Sequence, residues 1–227
     1  ALTVMSVTAQ KALSMYKAAS IRVNGDGVYT NLPIGGAYRG YGAPQAFFPL
    51  ESLMDEAAET MGIDPIELRL KNVFKVGDDI PIAKILGEGR EGFPMVLYST
   101  EIEACLKEGR KLSDWERLRS EPGSGRYRRG IGVAVAGQGS GIPGIDMGAA
   151  FIKMNEDASF NLQVGATDLG TGSDTALAQI AAEVLGVSVE KIIVYSSDTD
   201  MTPFDTGAYA SSTTYISGSA VKKAAEN

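Results

Sequence analysis

The chain has 227 residues, 44% hydrophobic and 22% charged, with a formal net charge of -7. That length supports one large or two modest domains with a real core, and the acidic balance argues against nucleic acid, whose binding needs basic patches. One cysteine, Cys105, and no histidine exclude a disulfide framework, a Cys/His zinc site, and Ser-His-Asp or Cys-His catalysis from this chain's own residues.

No stretch approaches roughly 18 uncharged apolar residues, so no membrane helix is predicted. No basic-apolar-small leader opens the sequence, which predicts a cytoplasmic protein. Residue 1 falls within helical sequence, and the chain stops at Asn227 inside an Ala/Lys helix. The expectation is a piece of something larger.

Residues 4–17 read as a helix, followed by two short strands around an Asn-Gly-Asp-Gly turn in 20–32. The glycine-rich run "LPIGGAYRGYGAPQAFFPLE" comes next, at 33–52. From Gln45 to Met61, Phe47, Leu50, Leu53, Met54, Ala57 and Met61 recur at helical spacing. Gly62 ends that helix. Asp64 as N-cap, Pro65 at the first position and Glu67 reaching back open another. Residues 75–128 are the least regular, with capping boxes Thr100–Glu103 and Ser113–Glu116 each opening a short helix.

"EPGSGRYRRG" reads as a linker, placing the domain boundary at 128/129. Beyond it, "GIGVAVAG" and "GAAFIKM" predict buried strands. "NEDA" is a hairpin turn and "SFNLQVG" its return strand. A Gly-rich turn then leads into a helix with Leu177, Ile180, Ala181, Val184 and Leu185 on one stripe. "KIIVYSSDT" predicts a strand, and a small-residue loop runs into the last helix. The class is α/β (α+β), as two subdomains that each mix sheet and helix.

Three segments could carry chemistry. "GATDLGTGS", at 165–173, joins a strand to a helix, where glycines and free N–H groups suit an anion. It is neither a Walker loop nor a full dinucleotide fingerprint, and a tight turn would use the same residues. "GAYASST", at 207–213, offers N–H and O–H donors before a helix, or simply an N-cap. In the opening run, Arg39 is a fixed cation with a fork of donors, and Tyr41 could stack on a planar ring. Asp168, Asp198, Asp200 and Asp205 lie near the Gly-rich turns. Asp168 suits a helix cap better than a metal, and no carboxylate pair has a spacing that argues acid–base catalysis.

Together, and in this order, "GAYRGYGAPQAFFPLESLMDEAAETMGIDPIELRLKN", "GATDLGTGSDTALAQIAAEVLG" and "DTDMTPFDTGAYASSTTYISGSAVKKAA" resemble the molybdenum-cofactor subunit of the xanthine dehydrogenase/aldehyde oxidase family. The likeness covers nearly the whole chain and is thinnest at 75–128. It implies a molybdopterin-type cofactor whose own dithiolene ligates the metal, which suits a redox site without His or Cys.

By the same resemblance, residues 1–128 close a first molybdopterin-binding region and 129–227 begin a second. Arg39 would lie beside the molybdenum, and Tyr41 would stack on a ring substrate. Leu169, Gly170 and Thr171 would contact the pterin. Ala210 would bring backbone close to the metal, and Ser211, Ser212 and Thr213 would donate to the pterin phosphate.

Thr171 stands where relatives often carry Gln, and Ser212 where many bacterial relatives carry Arg. Gly40 stands where carbon monoxide dehydrogenases carry a copper-binding cysteine. The catalytic glutamate base and the upstream Gly-Phe-Gly-Gly segment are expected outside residues 1–227, so no catalytic residue is assigned here. The implied reaction is hydroxylation of a heteroaromatic ring or an aldehyde with oxygen from water. Electrons would leave through iron–sulfur and flavin (FAD) subunits or domains of an oligomer. A cofactor-free scaffold and a simple phosphate or nucleotide module are the alternatives.

Overall fold

The computed structural model describes residues 2–33, 35–36, 38–85, 91–121, 123–142 and 144–227. The chain divides into two compact units, Ala1–Gln138 and Gly139–Asn227. The division falls after the linker at 121–130 because Ile131, Val133 and Val135 pack into the first unit's core.

The first unit is built from helices α1 (Leu2–Ala12), α2 (Ala43–Met61), α3 (Pro65–Asn72), α4 (Pro81–Ile85), α5 (Ile102–Leu112) and α6 (Trp115–Ser120). Its core joins Met15, Phe47, Ile66, Val73, Leu106, Trp115 and Val135. Asp64 caps α3 as its sequence predicts. Its Oδ1 accepts the N–H groups of Ile66 at 2.9 Å and Glu67 at 3.2 Å, satisfying donors that a helix start leaves open. Its Oδ2 accepts the Trp115 indole N–H at 2.8 Å, which ties α6 to α3.

Arg69 is wholly buried on α3. Its Nε meets Glu51 Oε2 and its Nη1 meets Asp55 Oδ1, both at 2.8 Å, while Nη2 donates to the Glu51 carbonyl at 3.1 Å. Glu51 also accepts from the Tyr16 hydroxyl and from the Val135 N–H. A buried charge survives only when it is paired and hydrogen-bonded, and this network meets that condition while gathering α2, α3 and two connecting segments.

Several local expectations give way here. Residues 20–32 and 130–137 form no strand; the first is largely exposed, with Tyr29 at 90%. Among the described residues of this unit, β pairing is confined to the single bridges Tyr16↔Val73 and Asp79↔Val96, so the mixing of sheet with helix belongs to the second unit. Leu53 and Met61 face solvent, because Glu51 turns inward to meet Arg69 and sets the buried face of α2.

The capping boxes do not close. Glu67 and Glu116 reach Arg110, and Glu103 reaches Lys75 and Lys107. On α5 the Thr100 hydroxyl accepts the Ile102 N–H at 3.4 Å without a reciprocal bond from Glu103, and α6 has no side-chain cap bond.

The second unit holds a sheet of order β1-β2-β3. β1 (Ala150–Met154) and β2 (Phe160–Val164) are an antiparallel hairpin with Ala150 opposite Val164. Its turn places Ala158 at φ 60°. Helix α7 (Ser173–Leu185) then carries the chain to β3 (Ile192–Ser196), which runs parallel to β2 with Phe160 opposite Ile192. A parallel neighbour needs such a crossover.

Helix α8 (Thr213–Glu226) packs on α7 and β1. Leu162, Val164, Leu177, Ala181 and Val221 are fully buried between these layers, each leucine or valine worth about 1.5–3 kcal/mol of transfer. The α7 stripe read from sequence points into this core through Leu177 and Ala181, with Ile180 and Leu185 at its rim.

Candidate functional site

Because β2 and β3 are parallel, the loops 165–172 and 197–212 leave the same end of the sheet. The carboxyl ends of parallel strands are where open α/β sheets receive ligands. Leu169, Gly170 and Thr171 lie on one of these loops, and Ala210, Ser211 and Ser212 on the other. Thr213 begins α8. The Ser196 hydroxyl at the end of β3 donates to Asp174 Oδ2 in the first turn of α7 at 2.9 Å, joining the roots of the two loops.

The first loop closes on Asp168. Its Oδ1 accepts the N–H groups of Gly170, Thr171 and Gly172 at 2.8, 2.9 and 3.2 Å, and its Oδ2 that of Asp174 at 3.4 Å. Partial desolvation pulls the carboxyl upward, but these backbone donors outweigh it and hold it below the usual carboxylate range. Asp168 therefore caps α7, and the donors that would cradle an anion already hold a carboxylate. Leu169, Gly170 and Thr171 project outward, with Leu169 66% exposed. A Cβ on Gly170 or Gly172 would meet nothing within 4 Å, and their φ angles of 87° and 74° are what require glycine.

The second loop is different. Ala210 and Ser211 both sit in the left-handed region, at φ 51° and 56°, a conformation uncommon for residues with a Cβ. Consecutive strained residues need support from their surroundings. Here the Ala210 carbonyl accepts the Gly141 N–H at 2.8 Å, and the Tyr209 carbonyl that of Ser212 at 3.1 Å.

The Ser212 side chain is buried, with its hydroxyl toward the Gly207 carbonyl at 3.4 Å. Ser211 is exposed and Thr213 half-buried. Helix α8 has no side-chain cap bond, and among the described residues nothing accepts from the N–H groups of Ser211, Thr213 or Thr214. Tyr209 stands beside Asp146, whose carboxylate raises the phenol's pKa.

Arg39 and Tyr41 belong to the first unit. Arg39 is exposed, without a hydrogen bond or ion pair among the described residues. Tyr41 is half-buried, its N–H bonded to the Tyr38 carbonyl at 2.7 Å. Gly42 is required by packing. A Cβ there would come within 2.8 Å of Val7 Cγ1 and 2.9 Å of the Thr8 nitrogen.

Sequence reasoning missed the Glu51–Arg69 pair, although the signal exists. Glu51 is four residues after Phe47 and Arg69 three after Ile66, so each occupies a core-facing helical position. It also missed Ser173 Oγ and Asp174 Oδ1, buried atoms with no partner at the root of the first loop.

Two models described as molybdopterin cofactor-binding domain match residues 1–73 and 108–227. The xanthine dehydrogenase molybdenum-binding subunit of Escherichia coli O157:H7 is 40% identical over 98% of this chain and 29% of its own length. The aldehyde oxidoreductase structure from Desulfovibrio gigas superposes with a TM-score of 0.81 at 30% identity, covering 99% of this chain and 24% of that one. The enzyme of the same name from Desulfovibrio desulfuricans gives 0.78 at 32%, over 98% and 24%.

With this fold and these loops, the chain belongs to the molybdopterin cofactor-binding domain family of xanthine dehydrogenases and aldehyde oxidoreductases. It spans 29% of the length of that Escherichia coli subunit.

The residues present fit such a group unevenly. The open N–H groups and hydroxyls of Ser211 and Thr213 suit a phosphate. The turn at 169–171 offers side chains and carbonyls to an uncharged ring but no free anion nest.

Proposed function

We propose that this chain supplies the cofactor-holding centre of a molybdenum hydroxylase acting on a heteroaromatic ring or an aldehyde. The observation that carries the reading is the uncapped start of α8, with left-handed Ala210 and Ser211 before it and free N–H groups at Ser211, Thr213 and Thr214. A helix N-terminus with open donors favours a phosphate.

In this reading Ser211 and Thr213 donate to the pterin phosphate through backbone and hydroxyl. Ser212 shapes the loop between them, since its hydroxyl is turned to the Gly207 carbonyl and its N–H to the Tyr209 carbonyl. Ala210 brings backbone toward the metal. Leu169, Gly170 and Thr171 line the pterin. Arg39 faces the metal's reactive side as a charge free to pair, and Tyr41 stacks on a planar substrate. When bound, the cofactor supplies the two-electron oxidation, with water as the oxygen source.

Iron–sulfur and flavin subunits or domains, an oligomeric assembly and a cytoplasmic location complete the proposal. A simple nucleotide module is disfavoured because Asp168 already fills the "GTGS" turn.

The test is molybdenum and pterin content of the intact protein carrying this sequence, beside Ser211→Ala/Thr213→Ala and Arg39→Ala variants. The double variant should lose most of its cofactor. Arg39→Ala should keep the cofactor and lose turnover. Full cofactor content in the double variant overturns the phosphate assignment, and absence of molybdenum from the unaltered protein overturns the whole reading in favour of a scaffold.

A further inference from the structure

The strained loop at 207–213 is held from beneath by a residue that the family resemblance does not single out. The Asp205 carboxylate bridges two elements. Its Oδ1 accepts the Gly207 N–H at 2.8 Å, and its Oδ2 accepts the Ser217 hydroxyl at 2.7 Å. Ser217 is itself buried, one turn into α8. Asp205 thus fixes both ends of the segment containing Ala210 to Thr213.

The surroundings are shaped for it. A Cβ on Gly165, just past β2, would come within 2.2 Å of the Pro203 carbonyl oxygen, 2.8 Å of Asp205 Cβ and 2.9 Å of the Asp205 nitrogen. A Cβ on Gly148, just before β1, would come within 3.0 Å of Ser217 Cα and 3.3 Å of Asp205 Oδ2. Gly148 and Asp205 also form a β bridge, extended by the Thr206 N–H to the Met147 carbonyl at 3.4 Å. Gly165 therefore leaves room for the backbone of Asp205, and Gly148 for its carboxylate.

We infer that Asp205 is a positioning residue, which holds the 207–213 loop in its left-handed shape so that the open α8 donors are presented ready-made. This rests on the reading of that loop as a cofactor-holding segment. The role is geometric and not charge-based. An asparagine can accept from Gly207 with its oxygen and donate to the Ser217 hydroxyl with its amide, so it keeps both links, whereas alanine keeps neither.

The experiment compares Asp205→Ala and Asp205→Asn by amide hydrogen exchange in the full chain, and by molybdenum and pterin content in the intact protein. Exchange reports local opening directly. In Asp205→Ala the amides of Gly207 and Ser212 should exchange faster by about tenfold or more, the scale of a lost hydrogen-bond clamp, with β2 and α7 unchanged. Asp205→Asn should stay close to the unaltered chain, and cofactor content should fall in the first variant only.

Unchanged loop exchange in Asp205→Ala overturns the inference. So does an Asp205→Asn variant as open as the alanine one, which would mean the negative charge itself is needed. Faster exchange with undiminished cofactor would leave the clamp standing and remove the loop from the cofactor site.

Discussion

Among single residues, Arg69 carries the largest consequence. It is wholly buried, and among the described residues its partners Glu51 and Asp55 pair with no other cation. Removing one member of a buried pair strands the other, at about 3–5 kcal/mol. Arg69→Ala should therefore lower the urea midpoint of the first unit, followed through the fluorescence of Trp115. Adding Glu51→Ala should cost far less than a second independent loss, because the two act as one network; strict additivity would refute the coupling.

Tyr16 provides an independent check. Burial first, then its bond to Glu51 and that carboxylate's charge, raise its pKa above the ordinary 10.0. The folded state favours the protonated phenol. Its contribution is complete below pH 10.0 and is lost as pH rises through the higher folded value. A Tyr16→Phe variant should show a shallower alkaline loss of stability than the unaltered chain.

At the scale of elements, the turn at 168–172 behaves as a prebuilt piece. The folded pKa of Asp168 lies below its ordinary 3.8. Its capping is present above that value and fades as pH falls through the lower folded one. Protection of the Gly170, Thr171 and Gly172 amides, taken relative to their intrinsic exchange at each pH, should fall in acid. Asp168→Ala should show the lowered protection already at pH 7, and equal protection there would rule out the cap.

This turn was legible because its logic is local: strand, glycines, Asp168, then the apolar stripe of α7. The helix caps divide along the same line. Asp64 needs only Ile66 and Glu67, and it forms as read. Glu67, Glu103 and Glu116 find cations at Arg110, Lys75 and Lys107, and that competition is invisible within a four-residue window. The strands expected at 20–32 and 130–137 have suitable composition but no ladder partner, and pairing is a tertiary event that propensity does not encode. The uncapped start of α8 could be located as a donor-rich loop from sequence. Its left-handed Ala210 and Ser211, and the inward turn of Ser212, could not.

For the whole molecule, the two units hold separate cores. Leu162, Leu177 and Val221 anchor one, while Phe47, Ile66 and Trp115 anchor the other. The sole tryptophan of the chain lies in the first. Cooperative unfolding follows cores, so tryptophan fluorescence should report only the first unit, whereas far-ultraviolet circular dichroism reports both. The two probes should give non-coincident denaturation curves, and a chain of residues 139–227 alone should retain a cooperative transition. Coincident curves together with an unfolded 139–227 would show that neither unit folds by itself.

The contrast between the two helix starts bears on how such a protein is handled. One end carries its own carboxylate and is indifferent to dissolved anions. The other is exposed to whatever oxyanion the solvent provides. On the proposed assignment, phosphate or sulfate in a purification buffer would compete at Ser211 and Thr213 and not on the 168–172 turn. If Ser211 and Thr213 hold a cofactor phosphate as proposed, a protein prepared in such a buffer would lose that cofactor more readily than one kept in an amine buffer with chloride, without any change in its fold.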